Sequence, residues 1–224
     1  MKKKSRLLKV IPARLDQKKL KPDQALKLLK EGNLRFSTQR NTTPQLQNPY
    51  ELESLNHSHL APFGIVLTCS DSHIPVENLF DVELGSLFVY RVTGHAVSDL
   101  LLAGIEHALS YYDISVIVVL GHSDCQAVET SFQHSKRKLK QVLTPGQHKL
   151  IATILESDPH PTHFEELLWS NIRSNGAKLR QNSKIISTLI KKGKLKVVGA
   201  AFQPSSGTVQ FATPRIKPIK RKAA

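Results

Sequence analysis

Three short runs, residues 63–68 (Phe-Gly-Ile-Val-Leu-Thr), 87–92 (Leu-Phe-Val-Tyr-Arg-Val) and 115–120 (Ser-Val-Ile-Val-Val-Leu), are nearly unbroken stretches of apolar side chains rich in β-branching. The first lacks the alternation of a strand with one wet face and fits a strand buried on both faces; the other two are further strand candidates. Between the second and third, residues 98–112 place leucines and alanines at helical spacing, with Ser98 suited to the N-cap and Asp99 in the first turn. Strand, helix, strand in this order implies a right-handed crossover and a parallel sheet, hence an α/β fold. Upstream, Pro22-Asp23 starts a helix to about Phe36 with Leu26, Leu28, Leu29 and Leu34 on its apolar side; Gly32 is expected to weaken its last turn. Residues 38–61 are polar, broken by Pro44 and Pro49, and read as an extended arm or loop. Downstream, a helix is expected from about Asp124 to Leu139 and another from Phe164 to Lys192, closing at Gly193. Residues 195–202 then give a fourth strand and 208–212 its hairpin partner.

Charge changes this picture only at the ends. The 224 residues carry a formal net charge of +14, but residues 1–40 hold +10 of it and residues 213–224 hold +5, leaving the body near neutral. Solvated tails are the expected meaning, with no structure after Pro214; the competing use is binding of RNA, DNA or an anionic surface through residues 1–21 and 215–222. No segment approaches the roughly 18 uninterrupted apolar residues of a spanning helix. Residues 7–15 are broken by Lys9, Pro12 and Arg14, too charged for a signal-peptide core, so a cytoplasmic protein is expected.

The chemistry lies just past two of the strands. Cys69-Ser-Asp71-Ser-His73 follows the first run and His122-Ser-Asp-Cys125 the third, and these are the chain's 2 cysteines. Two thiolates and a neutral imidazole can neutralise Zn2+ and fill three tetrahedral corners. The fourth falls to water or to Asp71. Two buried free cysteines, or a disulfide, are the competing readings; a reducing compartment argues against the disulfide. Carboxyl ends of parallel strands are where open α/β sheets collect ligands, and a helix starting near Asp124 would favour a thiolate at Cys125. His57, His59, His160 and His163 have chelate-like spacing but lie in polar, Pro-flanked stretches and read as exposed loop histidines. Tyr90 and Arg91 are expected to serve strand packing, and residues 136–140 a solvated helix end.

Over residues 22–212 the chain resembles the β-class carbonic anhydrases. The resemblance is carried by Pro62-Phe63, Cys69-Ser-Asp71-Ser, Ile74-Pro75 with Leu79-Phe80-Asp81, Gly85-x-Leu-Phe-Val, Arg91-x-x-Gly94, Gly121-His122-Ser-x-Cys125 and the run from Leu195 to Ala200. It implies a three-layer αβα fold with a mostly parallel sheet of four to five strands and an N-terminal helical arm, as one domain over 22–212 between basic extensions at 1–21 and 213–224. It further implies zinc on Cys69, His122 and Cys125, and hydration of CO2 to bicarbonate by a zinc-bound hydroxide that Asp71 aligns. A homodimer or tetramer is implied as well. Gly94 and His95, in the loop after the second strand, are expected to line the substrate pocket, with His95 available to shuttle protons.

Four positions depart from that family. Its aspartate is held off the metal by an arginine two residues on, which here is His73. Imidazole offers one donor per nitrogen and is charged only below about pH 6.5, whereas guanidinium is a fixed two-pronged cation. The restraint on Asp71 is therefore expected to be weaker and pH-dependent. Leu60 stands where a glutamine usually orients the substrate oxygen; it can wall an apolar pocket but donates no hydrogen bond. Asp124 and Gln126 replace small residues beside the metal ligands. These changes keep two further readings open: a catalytically weak zinc- or bicarbonate-binding member, and a hydrolase of carbonyl sulfide or carbon disulfide.

Overall fold

The structure is a computed structural model and describes residues 20–43, 62–70, 76–138 and 142–212. Its elements are α1 (Pro22–Ser37), β1 (Gly64–Thr68), α2 (Val76–Leu79), β2 (Leu87–Arg91), α3 (Asp99–Tyr111), β3 (Val116–His122), α4 (Gln126–Ser135), α5 (Pro145–Leu155), α6 (Phe164–Asn182), α7 (Lys184–Lys191), β4 (Lys196–Gln203) and β5 (Thr208–Phe211). Apart from Leu20 and Lys21, the basic ends lie outside the described residues, as does the loop from residue 44 to 61.

The strands lie in the order β2-β1-β3-β4-β5, parallel throughout except for the β4–β5 hairpin. Every residue of β1 and β3 is buried, as the apolar runs 64–67 and 116–121 require, and the polar residue that ends each strand, Thr68 or His122, is buried with them. Strand periodicity sorts the side chains into two cores. Ile65, Leu67, Ile117 and Val119 pack with Leu101, Ile105, Val128, Leu168, Ile172 and Ile186 from the helices of one face. Val66, Val116, Val118 and Leu120 pack with Ala25, Leu29, Val76, Leu79 and Phe80 on the other. The result is a three-layer αβα sandwich.

Several boundaries differ from the sequence reading. The helix expected over 164–192 breaks at Ser183, whose extended backbone (φ −118°, ψ 119°) separates α6 from α7. The Ser183 hydroxyl accepts from the Ile186 amide, capping α7, and donates to Glu106 of α3. The helix expected to start near Asp124 begins at Gln126 and stops at Ser135, so His122 and Cys125 precede it instead of straddling its start. Two helices were not expected, α2 and α5; the latter opens on a reciprocal Thr144–Gln147 capping box.

Helix α1 is fastened to its own chain. Asn33 donates to the carbonyls of Leu79 and Gly207 and accepts from the Val209 amide. Asp81, its side chain fully buried, accepts from Arg35 Nε at 2.5 Å, from the amides of Thr42 and Thr43, and from the Thr42 hydroxyl. Burial by itself raises a carboxyl pKa, but Arg35 and these donors outweigh it and lower Asp81 from 3.8 to about 2. An aspartate whose folded pKa is depressed stabilises the fold above its unfolded pKa, and that contribution is lost as pH falls from about 4 through about 2. Asp81→Asn is expected to cost about 2 kcal/mol at neutral pH. It should also flatten the loss of stability on acidification in that window, read from urea unfolding at stepped pH.

Candidate metal centre

Strand register brings the ligand-bearing segments level. Thr68, the last residue of β1, pairs with Arg91 of β2 and Leu120 of β3, so Cys69 emerges beside the last turn of β3. β3 continues two residues past that level, because β4 extends with it and His122 pairs with Phe202. The extension depends on Gly121. A Cβ there would lie 2.8 Å from both the Ile172 and Leu168 side chains, so α6 packs directly against the bare backbone next to His122. A tight turn follows, with the Cys125 amide donating back to the His122 carbonyl, and Cys125 becomes the N-cap residue of α4.

Cys69, His122 and Cys125 are all buried, and their ligand atoms lie within 4.8 Å of one another. The two sulfurs are 3.6 Å apart and are not joined in a disulfide. A disulfide would need about 2.05 Å. Two thiolates sharing one tetrahedral ion at about 2.3 Å each sit about 3.8 Å apart, so the spacing fits a shared Zn2+. His122 Nδ1 lies 2.6 Å from Asp124 Oδ1, which leaves Nε2 as the nitrogen available to a metal. The Gly94 amide donates to Cys69 Sγ at 3.2 Å, and such a bond favours the thiolate over the thiol. The start of α4 at Cys125 acts in the same direction. The donor set, its burial and its supporting bonds thus suit a structural or catalytic zinc.

Of the other residues singled out from the sequence, Gly94 is in place against Cys69, in a turn where its φ of 64° suits glycine. His95 is fully buried with Nε2 3.0 Å from Asn171 Nδ2, which sets its imidazole behind the turn and away from solvent. Asp71, His73 and Leu60 lie outside the described residues, as do His57 and His59. Asp124, read from sequence as an added charge near the metal, is the hydrogen-bond partner of His122. Gln126 is exposed and turns to Thr130. His160 and His163 are exposed. Tyr90 donates to the Gly104 carbonyl, its pKa raised by burial, and Arg91 Nη1 reaches the Cys69 carbonyl at 3.5 Å. The sequence reading missed Asn171 and Asn175. They interrupt the buried stripe Leu167, Leu168, Ile172, Leu179 of α6, and buried polar residues in an apolar stripe were the available signal.

A family model described as carbonic anhydrase matches residues 64–209. Carbonic anhydrase 2 of Mycobacterium tuberculosis is 30% identical over 198 residues, spanning 83% of this chain and 90% of that protein. Among solved structures, a Coccomyxa β-carbonic anhydrase in complex with acetazolamide superposes with a TM-score of 0.60 at 23% identity, covering 76% of this chain and 79% of that one. One of two tetrameric β-carbonic anhydrases of Sordaria macrospora gives a TM-score of 0.59 at 21% identity, covering 84% and 96%.

Proposed function

The chain belongs to the β-carbonic anhydrase family, and from that membership we propose that it interconverts carbon dioxide and bicarbonate at a zinc ion held by Cys69, His122 and Cys125. The observation that carries this is the convergence of two unbridged cysteine sulfurs 3.6 Å apart with one imidazole. Zinc bound there supplies a water acidic enough to provide hydroxide near neutral pH, the nucleophile that CO2 requires.

The chain's own residues do the rest. Cys69 and Cys125 offset the cation's charge, and the Gly94 amide spreads the charge on Cys69. Asp124 holds His122 in the tautomer that keeps Nε2 unprotonated. With zinc bound, Asp71 would either join its ligands or accept a hydrogen bond beside them, and His73 would restrain Asp71. Leu60 offers an apolar wall that suits a small uncharged gas. Cysteines kept out of a disulfide at this spacing suit a reducing compartment, so the cytoplasm is the proposed location; among the described residues no helix is long and apolar enough to cross a membrane. A homodimer or tetramer is proposed by likeness to the tetrameric Sordaria protein.

His73 decides how well the site works. An imidazole cannot grip Asp71 with the paired, permanently charged donors of a guanidinium, and a charge-assisted pair is worth about 1.5–3 kcal/mol. His73→Arg is therefore expected to raise kcat/KM for CO2 hydration by about tenfold, measured by stopped flow on zinc-loaded protein beside the native chain. Activity in the native chain that small anions inhibit supports the proposal. Stoichiometric zinc with no turnover in either protein would replace it with the weakly catalytic, zinc-binding reading that His73 and Leu60 keep open.

A further inference from the structure

We propose that Asn171 and Asn175, two buried asparagines of α6, are positioning residues for the metal centre, holding the turn at residues 93–97 so that the Gly94 amide points at the Cys69 sulfur. The inference rests on the metal reading above and adds to it the element that keeps the donor in place.

The turn needs holding. Gly94 and His95 are both left-handed, with φ of 64° and 45°. For histidine that conformation costs about 1–2 kcal/mol, and it persists where the surroundings over-determine it. Within the turn, the bond from the His95 amide to the Val92 carbonyl closes only one end. The other anchors come from one i,i+4 pair across the core. Asn171 Nδ2 donates to the Gly94 carbonyl and to His95 Nε2, each at 3.0 Å. Asn175 Oδ1 accepts from the Val97 amide at 3.0 Å. Asn175 Nδ2 in turn donates to Asn171 Oδ1 at 2.9 Å and to the Asn171 carbonyl at 3.0 Å, which fixes the Asn171 amide with its nitrogen toward the turn.

Both asparagines are at most 2% exposed, so each amide is desolvated and its direction is set by these bonds. The carbonyl at 94, the imidazole at 95 and the amide at 97 all land on them. Between these anchors the Gly94 N–H meets Cys69 Sγ. Packing alone would be met by two leucines on this helix; the asparagines are needed because the turn presents an acceptor, an acceptor and a donor.

The test uses the zinc-loaded full chain carrying Asn171→Leu or Asn175→Ser, with Asn33→Leu as the control. Asn33 is also buried and makes three bonds to backbone, but it fastens α1 on the opposite face of the sheet. The readouts are the rate of zinc release to a chelator, hydrogen exchange at the Gly94 amide, and the thiolate-to-metal absorption band after substitution with Co2+. Asn171→Leu and Asn175→Ser are expected to release zinc about tenfold faster, to lose protection at Gly94 and to shift the cobalt band. Asn33→Leu should lower the melting temperature while leaving all three readouts at native values. Should Asn171→Leu fail to fold, Asn175→Ser decides, since it removes the Val97 anchor and the brace on Asn171 by shortening a side chain. Native zinc release with Gly94 still protected in the folded variants would overturn the inference alone. A native chain that takes up no zinc would overturn the metal reading and this inference with it.

Discussion

Serine in place of Cys69 or Cys125 is expected to abolish stoichiometric zinc binding and to lower CO2 hydration by more than about a thousandfold. Each sulfur is one of the three proposed donors, and a hydroxyl cannot replace it: it stays protonated at neutral pH and would leave a dication balanced by one thiolate. Both positions are 0% exposed, so no solvent group can move in to fill the gap. The supporting bonds also lose their purpose, because the Gly94 amide that stabilises a thiolate at Cys69 would face a neutral oxygen. A metal centre contributes several kcal/mol of transition-state stabilisation, and about 4 kcal/mol is already a thousandfold. The fold itself should survive, since the change is nearly isosteric and one buried hydroxyl costs about 1–3 kcal/mol. Zinc content by elemental analysis, stopped-flow hydration and the melting curve together check the result. Variants that keep one zinc per chain and native turnover would place the metal elsewhere.

The strands and the three metal-binding candidates were legible for the same reason: their chemistry does not depend on neighbours. Strands buried on both faces are apolar along nearly their whole length, so β1 and β3 announce themselves. Cysteine and histidine immediately past such strands are informative by residue type alone. Features set by tertiary contacts were hidden. Apolar spacing runs on through Ile185, Ile186, Leu189 and Ile190, and the break at Ser183 becomes visible only with Glu106 of α3 beside its hydroxyl. Helix α5 buries just Ile151 and Ile154, too little for a stripe, although Thr144 and Gln147 spelled out its start. Gly121 looked like the end of a strand, yet its missing Cβ is what lets α6 close on β3. The strand order, with β1 between β2 and β3, is a property of the packed sheet and has no local signature. Nor could Asp124 be understood before its carboxylate was seen on His122.

Gly32 carries the other large effect. From sequence it is a weak point in α1; in the fold it is the point of closest approach. A Cβ at this position would lie 1.7 Å from the Phe80 carbonyl oxygen and 2.6 Å from its carbon, and backbone cannot rotate aside as a side chain can. Phe80 is fully buried and its neighbour Asp81 is clamped by Arg35 and Thr42, so the turn cannot retreat. Gly32→Ala must therefore lift α1, which uncovers Ala25 and Leu29 and strains the three Asn33 bonds. The gain in helix propensity from alanine, about 1 kcal/mol, is small beside that loss. A net destabilisation of about 4 kcal/mol is expected, lowering the melting temperature by about 10 °C. Gly146→Ala in α5 provides the contrast: its nearest neighbour is 4.0 Å away, and it should be neutral or stabilising by about 0.5 kcal/mol. Hydrogen exchange should show α1 losing protection in Gly32→Ala while β1 and β3 keep theirs, because those strands are covered on the other face by α3 to α7. A Gly32→Ala chain that melts with the native protein would mean that α1 does not dock against Phe80 as described.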